Sequence, residues 1–504
     1  MTMLDTVFTA LDIQTALVFI VVALAVYLYL ATRLPSGFPP GPRPWPIIGN
    51  LDLLAKDPLH SHKTLAELSD KYGPVVGLKL GSHWTVIING LEAMKEAFVK
   101  KGDDNSSRPF FLYVFTRATM VQGRCRGILW TDGQIWKDTR RFALMSMRDF
   151  GLGKRSLEAR IQEEGAAMCA EIAKENGKPF DIITLAQEAP SNVICSICFG
   201  SRFDYNNPDF KELMRRLNQN FTTPLFASIL NFLPFLRYVT PVSFWIGHVL
   251  QNLAAIDEFI MNQIEQHRTS FDPSNIRDFV DLYLEKEMEE HEDDEAFSRA
   301  NMQRIILDLF GAGSETTGTA LRWFLLHVIH DLDIQKRCHE EIDRVIGSGR
   351  LPSLADRTKM PFLEATILET LRHGNIAALA GAHATNKDTT LLNYKIPKNT
   401  LVLANIYAIH MDPSLWENPE RFWPERWIEE NGTLRKQDSL VPFSAGPRIC
   451  PGETLARNEL FMFTACLLQQ FSFSMVDKQN PPSLEGKLGL SLSPERFELI
   501  ATPR

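Results

Sequence analysis

Residues 442–450, with the sequence PFSAGPRIC, combine a cysteine with an arginine and several turn-forming residues. A strong helical pattern follows Cys450, so its sulfur is expected at or just before a helix N-terminus, where the macrodipole and free N–H groups favour a thiolate. Gly446 and Gly452 allow the backbone to turn and to approach a flat group closely. One thiolate beside Arg448 does not supply the four ligands of a zinc site, but it fits haem iron with an axial cysteine.

The residues around Cys450 have the spacing F-x-x-G-x-R-x-C-x-G, beginning at Phe443. This is the haem-binding signature of the cytochrome P450 superfamily, and the sequence resembles that superfamily over essentially its whole length. The segments PPGPRPWPIIGN (39–50), ENPERFWPERW (417–427) and GETLARNELF (452–461) look most like those of the animal microsomal members, which oxidise lipids, steroids and drugs. Four further motifs stand in the family's order: WKDTR (136–140), AGSETT (312–317), ETLR (369–372) and FWPERW (422–427).

The resemblance implies haem b as the cofactor, with the Cys450 thiolate as the sole protein ligand to its iron. The two haem carboxylates would enter a buried site, where they need charge-assisted hydrogen-bond partners. By resemblance, these cofactor-binding partners are Arg108, Trp136, Arg140, His383 and Arg448.

The AGSETT motif belongs to the long distal helix of the family. Gly311, Gly313 and Gly318 each cost up to ~1 kcal/mol against alanine in a helix interior. A ligand lying against the backbone, with a local distortion of the helix, would compensate. Glu315 and Thr316 adjoin this turn, and a carboxylate and a hydroxyl there can order water and pass protons during oxygen activation. They are therefore the candidate catalytic residues.

The region after residue 369 is expected to support the cysteine loop and to line the substrate cavity. Glu369 and Arg372 lie i, i+3 on one helix face, which suits an ion pair, and by resemblance Arg426 completes a buried structural cluster. Relatives of this type have prolines near Ala378 and Ala382, and neither is present here. Their loss predicts a freer backbone, which makes substrate inference by analogy unsafe.

The expected activity is that of a haem-thiolate monooxygenase, which inserts one oxygen atom of O2 into a small hydrophobic molecule such as a lipid, a steroid or a xenobiotic. The chain has no G-x-G-x-x-G dinucleotide motif, so NADPH–cytochrome P450 reductase is the expected electron donor, with cytochrome b5 as an optional second partner. Lys137 and Arg141 could meet an acidic reductase, although a solvated helix face explains them nearly as well.

Two other functions stay open at this point. One is a haem-thiolate isomerase or dehydratase of lipid peroxides, which needs neither oxygen nor a reductase; Glu315 and Thr316 speak against it, because such an enzyme can dispense with proton delivery. The other is a membrane-tethered haem sensor or carrier of gas or lipid. The net charge of -8 argues against a nucleic-acid partner. The 7 cysteines are scattered, which argues against a disulfide framework.

The N-terminal part differs from the rest. Residues 16–31 carry no charge and, with their flanks, are about as long as the roughly 20 residues that span a bilayer. We therefore expect residues 1–34 to be a membrane anchor with one transmembrane helix. Arg33 and Arg43 then place the remaining chain on the cytosolic face of the endoplasmic reticulum, in contact with membrane lipid. The proline-rich residues 35–50 predict a stiff linker, and residues 51–504 one catalytic domain.

The predicted fold class is mainly α, the cytochrome P450 fold: a large helical domain with minor β-sheets. Two β-rich runs around Gly81 predict a hairpin, and short strand signals return at residues 390–403. Helical periodicity dominates between these regions. The clearest helices are predicted at 157–173, 249–266, 305–329, 334–346 and 361–373.

Overall fold

The computed structural model describes residues 3–121, 123–149, 155–221, 229–239, 242–289 and 295–504. Within these ranges the chain is mainly helical with several small sheets, as predicted. No helix in the described ranges has both the length and the apolar character needed to cross a membrane, so the predicted transmembrane helix is not confirmed.

The five helices predicted from periodicity are all present, as α7, α10, α12, α13 and α14 in chain order. The helices are α1 (Met3–Ala31), α2 (Leu51–Lys56), α3 (Ser61–Tyr72), α4 (Leu91–Lys95), α5 (Tyr113–Thr119), α6 (Gly133–Asp149), α7 (Arg155–Ala173), α8 (Ile183–Phe199), α9 (Pro208–Phe221), α10 (Val242–Thr269), α11 (Phe279–Glu289), α12 (Arg299–His330), α13 (Leu332–Val345), α14 (Pro361–Gly374), α15 (Ile406–His410) and α16 (Glu453–Gln470).

The largest described sheet has the strand order β1-β2-β9-β6. Strands β1 and β2 form the predicted hairpin around Gly81, with Leu80 opposite His83, and β9 runs parallel to β2. A second sheet has the order β10-β13-β5, and β11 pairs with β12 in a short hairpin. The strands are β1 (Val75–Leu80), β2 (His83–Ile88), β3 (Met120–Val121), β4 (Arg124–Cys125), β5 (Phe180–Asp181), β6 (His383–Ala384), β7 (Thr389–Leu391), β8 (Tyr394–Ile396), β9 (Leu401–Ala404), β10 (Phe471–Met475), β11 (Gly486–Leu488), β12 (Leu492–Pro494) and β13 (Glu498–Pro503).

Helix α12 is the central element of the core, and α8 packs closely along it. A Cβ atom on Gly318 would lie 2.6 Å from the Ala186 carbonyl oxygen, and one on Gly313 would lie 2.8 Å from Ile194 Cδ1. These glycines therefore allow α8 to approach, and helix packing compensates for their low helix propensity. Helix α12 is one continuous α-helix over its whole length, and the local distortion stays a prediction.

The proline-rich stretch 35–50 lies against the first sheet. Gly77 N–H donates to the Pro40 carbonyl at 2.8 Å, and Phe38 is buried in the core of this region. A Cβ atom on Gly41 would lie only 1.7 Å from the Gly77 carbonyl oxygen, so the contact requires a glycine. The stretch is therefore fixed to the globule along part of its length.

A fully buried ionic cluster connects α14 with the segment before the cysteine loop. The Glu369 carboxylate accepts two hydrogen bonds from Arg372, at 2.7 and 2.9 Å, one from Arg426 at 3.1 Å and one from the Trp427 indole at 2.9 Å. Burial would raise the pKa of Glu369, but the two arginines outweigh it and hold the pKa below its usual value. The predicted Glu–Arg–Arg cluster is thus present, and its role is structural.

Replacing Arg372 with methionine should lower the free energy of unfolding by about 3–5 kcal/mol, because one partner of a buried ion pair is removed and charge is left uncompensated. The matched control is Lys336→Met, in the pair between Lys336 and Glu340, whose side chains are 73% and 64% exposed. This change should cost about 0–1 kcal/mol. Denaturant titration of the haem-loaded protein, followed by tryptophan fluorescence, measures both. Equal losses for the two variants would contradict the structural role.

Candidate functional site

A cavity of about 290 Å³ lies between α12 and the segment that carries Cys450. Four groups of residues form most of its lining. The cysteine loop and the start of α16 form one wall, α12 forms another, and residues 376–381 contribute a third. Residues 108, 128 and 129, together with α6, contribute the fourth. Most of the lining is apolar, and the polar lining side chains include Arg108, Trp136, Arg140, Asp308 and Arg448.

The cysteine loop is fixed by backbone contacts. Gly446 has φ of +78°, and a Cβ atom there would lie 1.6 Å from the Phe98 carbonyl oxygen, so only glycine fits this turn. Cys450 N–H donates to the Phe443 carbonyl at 3.0 Å. Helix α16 begins three residues after Cys450, as the sequence predicts. The sulfur is accessible from the cavity.

The electrostatics of Cys450 have two opposing parts. Burial raises the pKa of the thiol, while the N–H groups of Gly452 and Glu453 lower it, as expected at a helix N-terminus. The net shift is upward, because these two N–H groups do not offset the loss of hydration. A cation bonded to the sulfur would hold it as a thiolate, since a coordinated thiol is deprotonated. Cys450 therefore suits a metal ligand better than a free nucleophile.

The polar end of the cavity, here called the basic edge, consists of Arg108, Trp136, Arg140 and Arg448. Arg448 donates to the carbonyls of residues 106, 128 and 131, and its guanidinium lies 3.8 Å from the centre of the Trp136 ring. Arg108 donates to the carbonyls of residues 129 and 382, at 2.7 and 2.5 Å. Arg140 donates to the Ile449 carbonyl and so connects α6 with the cysteine loop.

The basic edge has more positive than negative charge. Burial, and then the other arginines, lower the pKa of Arg448 to about 8, while burial and Arg140 lower that of Arg108 to about 10. The buried Trp136 indole N–H has no hydrogen-bond partner among the described residues. A buried N–H group is expected to have a hydrogen-bond partner. Two carboxylates of a flat group lying over Cys450 would satisfy both the charge and the N–H, so these residues fit haem.

Of the six predicted cofactor-binding residues, His383 alone does not line the cavity. Its Nδ1 atom pairs with the Asn105 carbonyl at 2.7 Å, and its ring stacks on Phe98 with centroids 4.1 Å apart. Burial and then the Arg108 charge hold its pKa well below the usual value, so the ring is neutral. His383 is therefore held by Asn105 and Phe98, outside the lining of the cavity.

The two predicted catalytic residues of α12 lie on different faces of the helix. Thr316 is exposed to the cavity, and its hydroxyl donates to the Ala312 carbonyl at 2.7 Å. Glu315 is 4% exposed and does not line the cavity. Its carboxylate accepts hydrogen bonds from Gln187 and Ser491 instead. The structure therefore brings Thr316, but not Glu315, to the site.

Two acidic residues at the cavity were not predicted from the sequence. Asp308 of α12 accepts hydrogen bonds from the N–H groups of Ile128 and Leu129, at 2.7 and 2.9 Å, and fixes that wall. Burial raises its pKa to about 6. Glu459 of α16 is also buried, and burial raises its pKa well above the usual value. For Asp308 the available signal was a single acid within the apolar run 305–310.

The wall at residues 376–382 is held in place without prolines. Ala380 N–H donates to the Ala404 carbonyl at 2.9 Å, and Tyr407 N–H donates to the Ala378 carbonyl at 3.1 Å. Ala378 and Ala382 are both 1% exposed. The predicted freer backbone is therefore restrained by pairing with the strand and helix that follow.

The sequence model of the family described as Cytochrome P450 matches residues 39–501. The chain is 38% identical to rat "Cytochrome P450 2J3" over 514 residues, which covers 100% of this chain and 98% of that protein. It is 39% identical to human "Cytochrome P450 2J2" and 35% identical to human "Cytochrome P450 2U1". These two matches cover 94% and 96% of this chain, and 93% and 92% of the respective relatives.

Replacing Cys450 with serine should abolish the red-shifted Soret band of the reduced carbon monoxide complex, because the hydroxyl of serine is a much weaker ligand than a thiolate. The matched control is Cys125→Ser, since Cys125 is half-buried in β4 and does not line the cavity. The control should keep the band. Retention of the band in Cys450→Ser would exclude Cys450 as the iron ligand.

Proposed function

The chain belongs to the cytochrome P450 family and is an oxidoreductase of the monooxygenase type, and we propose that it inserts one atom of O2 into a small hydrophobic molecule. Lipids, steroids and xenobiotics are the substrate classes proposed. The observation that carries this proposal is one cavity faced by the Cys450 sulfur, by the Thr316 hydroxyl and by the basic edge. Electrons from NADPH would come through a separate reductase.

The family's cofactor, haem b with an axial cysteine thiolate, supplies the activation of dioxygen. In this chain we assign the thiolate to Cys450. Arg108, Trp136, Arg140 and Arg448 would hold the haem carboxylates by charge-assisted hydrogen bonds. Tight contact of Gly446 with the Phe98 carbonyl keeps the cysteine loop in one conformation.

We assign the handling of protons in the cavity to Thr316. Its hydroxyl is accessible in the cavity, and while it donates to the Ala312 carbonyl its oxygen can accept a hydrogen bond from water. A water held at this position can pass a proton to the reacting oxygen atoms. Glu315 would not take part directly, because its carboxylate has its hydrogen-bond partners outside the cavity.

The substrate side of the cavity favours neutral, apolar molecules. Ile128, Leu129, Leu309, Ile376 and Ala377 contribute apolar side chains to it. The Asp308 carboxylate lines the cavity too, but it is engaged by two backbone N–H groups. Burial of apolar surface, at roughly 25 cal/mol per Å², would therefore supply most of the binding free energy.

We propose that the part of α6 around residues 137–141 belongs to the surface that receives electrons. Lys137 and Arg141 are exposed on this helix, and Arg140 of the same helix bonds to the carbonyl next to Cys450. An acidic patch on NADPH–cytochrome P450 reductase, or on cytochrome b5, would complement these charges. This proposal rests on charge and position.

We also propose attachment to the endoplasmic reticulum membrane through the N-terminal residues, with the catalytic domain in the cytosol. The support is the set of large apolar side chains that α1 exposes between Leu17 and Leu30. Isolated exposed apolar side chains are common, but a contiguous set of this size marks a contact with lipid or protein.

Replacing Thr316 with alanine should reduce the proton-dependent step by about 100-fold or more, because the hydroxyl that holds the water is removed. Product formed per NADPH should fall and hydrogen peroxide per NADPH should rise, while haem content and substrate binding stay the same. The matched control is Thr316→Ser, which keeps the hydroxyl and should stay well coupled. Both ratios are measured with purified reductase.

Unchanged turnover and coupling in Thr316→Ala would instead favour an isomerase or dehydratase of lipid peroxides. Such an enzyme starts from an existing oxygen–oxygen bond, so it needs neither NADPH nor this proton path. Absence of any product with reductase and NADPH would favour a haem sensor or carrier.

Deleting residues 1–32 should release much of the protein from membranes and leave haem bound, because the residues that line the cavity all lie after residue 100 in the chain. Flotation with vesicles of endoplasmic reticulum lipid composition measures the first effect, and the Soret absorbance the second. The full chain is the reference. If the deleted form floats as completely as the full chain, the main membrane contact lies elsewhere.

A further inference from the structure

A buried polar cluster lies on the side of α12 that faces α8 and the β11–β12 hairpin. We call it the Glu315 cluster, and its members are Glu315, Gln187, Thr319, Ser491 and Ser493. The Glu315 carboxylate accepts hydrogen bonds from Gln187 at 2.6 Å, from Ser491 at 3.1 Å and from Thr319 at 3.2 Å. The hydroxyls of Ser491 and Ser493 lie 3.1 Å apart. Three secondary-structure elements therefore meet at one carboxylate.

The Glu315 carboxylate is committed to this cluster. Gln187, Thr319 and Ser491 are at most 5% exposed, so none of them has bulk water as an alternative partner. Turning Glu315 toward the cavity would break three hydrogen bonds and leave buried polar groups unsatisfied, which is unfavourable. The carboxylate thus acts as a fixed acceptor to which the hairpin is attached.

The hairpin is in turn connected to the cavity wall. Ser491 is in the turn between β11 and β12, and the next residue, Leu492, donates its N–H to the Ile376 carbonyl at 2.8 Å. The Leu492 carbonyl accepts a hydrogen bond from the Trp323 indole of α12 at 2.9 Å. Ile376 lines the cavity. A shift of the turn at Ser491 would therefore reach Ile376 in the cavity wall through Leu492 and its hydrogen bond.

We propose that Ser491 is a positioning residue that sets the cavity wall at Ile376 through its hydrogen bond to Glu315. Ser491 does not line the cavity itself, so it affects ligand selection only through the hairpin. Arg322 holds the same hairpin at the Pro494 carbonyl, at the end of β12 rather than at the turn. The inference rests on the proposed function only in taking this cavity as the substrate site.

The test compares a large and a small ligand of the haem iron, 4-phenylimidazole and imidazole, by Soret titration of the full, haem-loaded chain. Ser491→Ala should weaken 4-phenylimidazole by about fivefold, the effect expected for a lost hydrogen bond that orders a contacting wall. Imidazole is too small to depend on the wall, and its affinity should change by less than about twofold. Neither measurement requires substrate, reductase or turnover.

Two single variants serve as controls. Ser491→Thr keeps the hydroxyl, so its affinity for 4-phenylimidazole should stay close to that of the unchanged chain. Lys487→Ala changes an exposed side chain of the same hairpin that pairs with Glu495 and not with the Glu315 cluster, and it should change both affinities by less than about twofold.

A double variant tests whether the effect passes through Glu315. In a Glu315→Leu background, Ser491→Ala should have no further effect, because the two residues then no longer interact. Additive effects would overturn the proposal, and so would equal changes for both ligands or no change in Ser491→Ala. If Glu315→Leu fails to retain haem, the two-ligand comparison in Ser491→Ala decides. Failure of the proposed function would appear separately, as intact azole binding without NADPH-dependent product.

Discussion

Positive charge that is buried without enough negative charge around it is the constraint on which this site depends. Arg108, Arg140 and Arg448 lie at one end of a cavity. Burial lowers the pKa values of all three, and repulsion from neighbouring arginines lowers those of Arg108 and Arg448 further. The indole N–H of Trp136 beside them is unpaired among the described residues. Such an arrangement favours the binding of an anion, and the carboxylates of the family's haem would supply it.

The Glu369 cluster differs from the basic edge, because its buried charges are balanced. Glu369 has two arginines and an indole as partners, and all three side chains are nearly inaccessible to water. This balance makes the cluster a stable connection between α14 and the segment that precedes the cysteine loop. The two clusters therefore differ in charge balance. In the Glu369 cluster the buried polar groups satisfy one another, whereas the basic edge leaves polar groups that a ligand can satisfy.

Helix α12 carries two separate tasks on two faces. One face presents Ala312 and Thr316 to the cavity, and the other carries Glu315 and Thr319 into the cluster that holds the β11–β12 hairpin. Gly313 and Gly318 allow α8 to approach closely enough for Gln187 to reach Glu315. Neighbouring positions in one motif thus have different roles, because successive residues of a helix point about 100° apart.

The sequence by itself determined the candidate cysteine ligand, the order of the motifs, the main helices and the hairpin at Gly81. These features depend on local spacing and periodicity, which the sequence carries directly. The residues of the basic edge were proposed from resemblance to the family's motifs, and the structure brings all four of them to one cavity. Only the tertiary structure decided that Glu315 turns to Ser491, 176 residues away, that His383 pairs with Asn105 outside the cavity, and that Asp308 fixes a cavity wall. Those roles depend on which neighbour packs against which helix face, and a hydrogen bond between distant segments leaves no periodic pattern in the sequence.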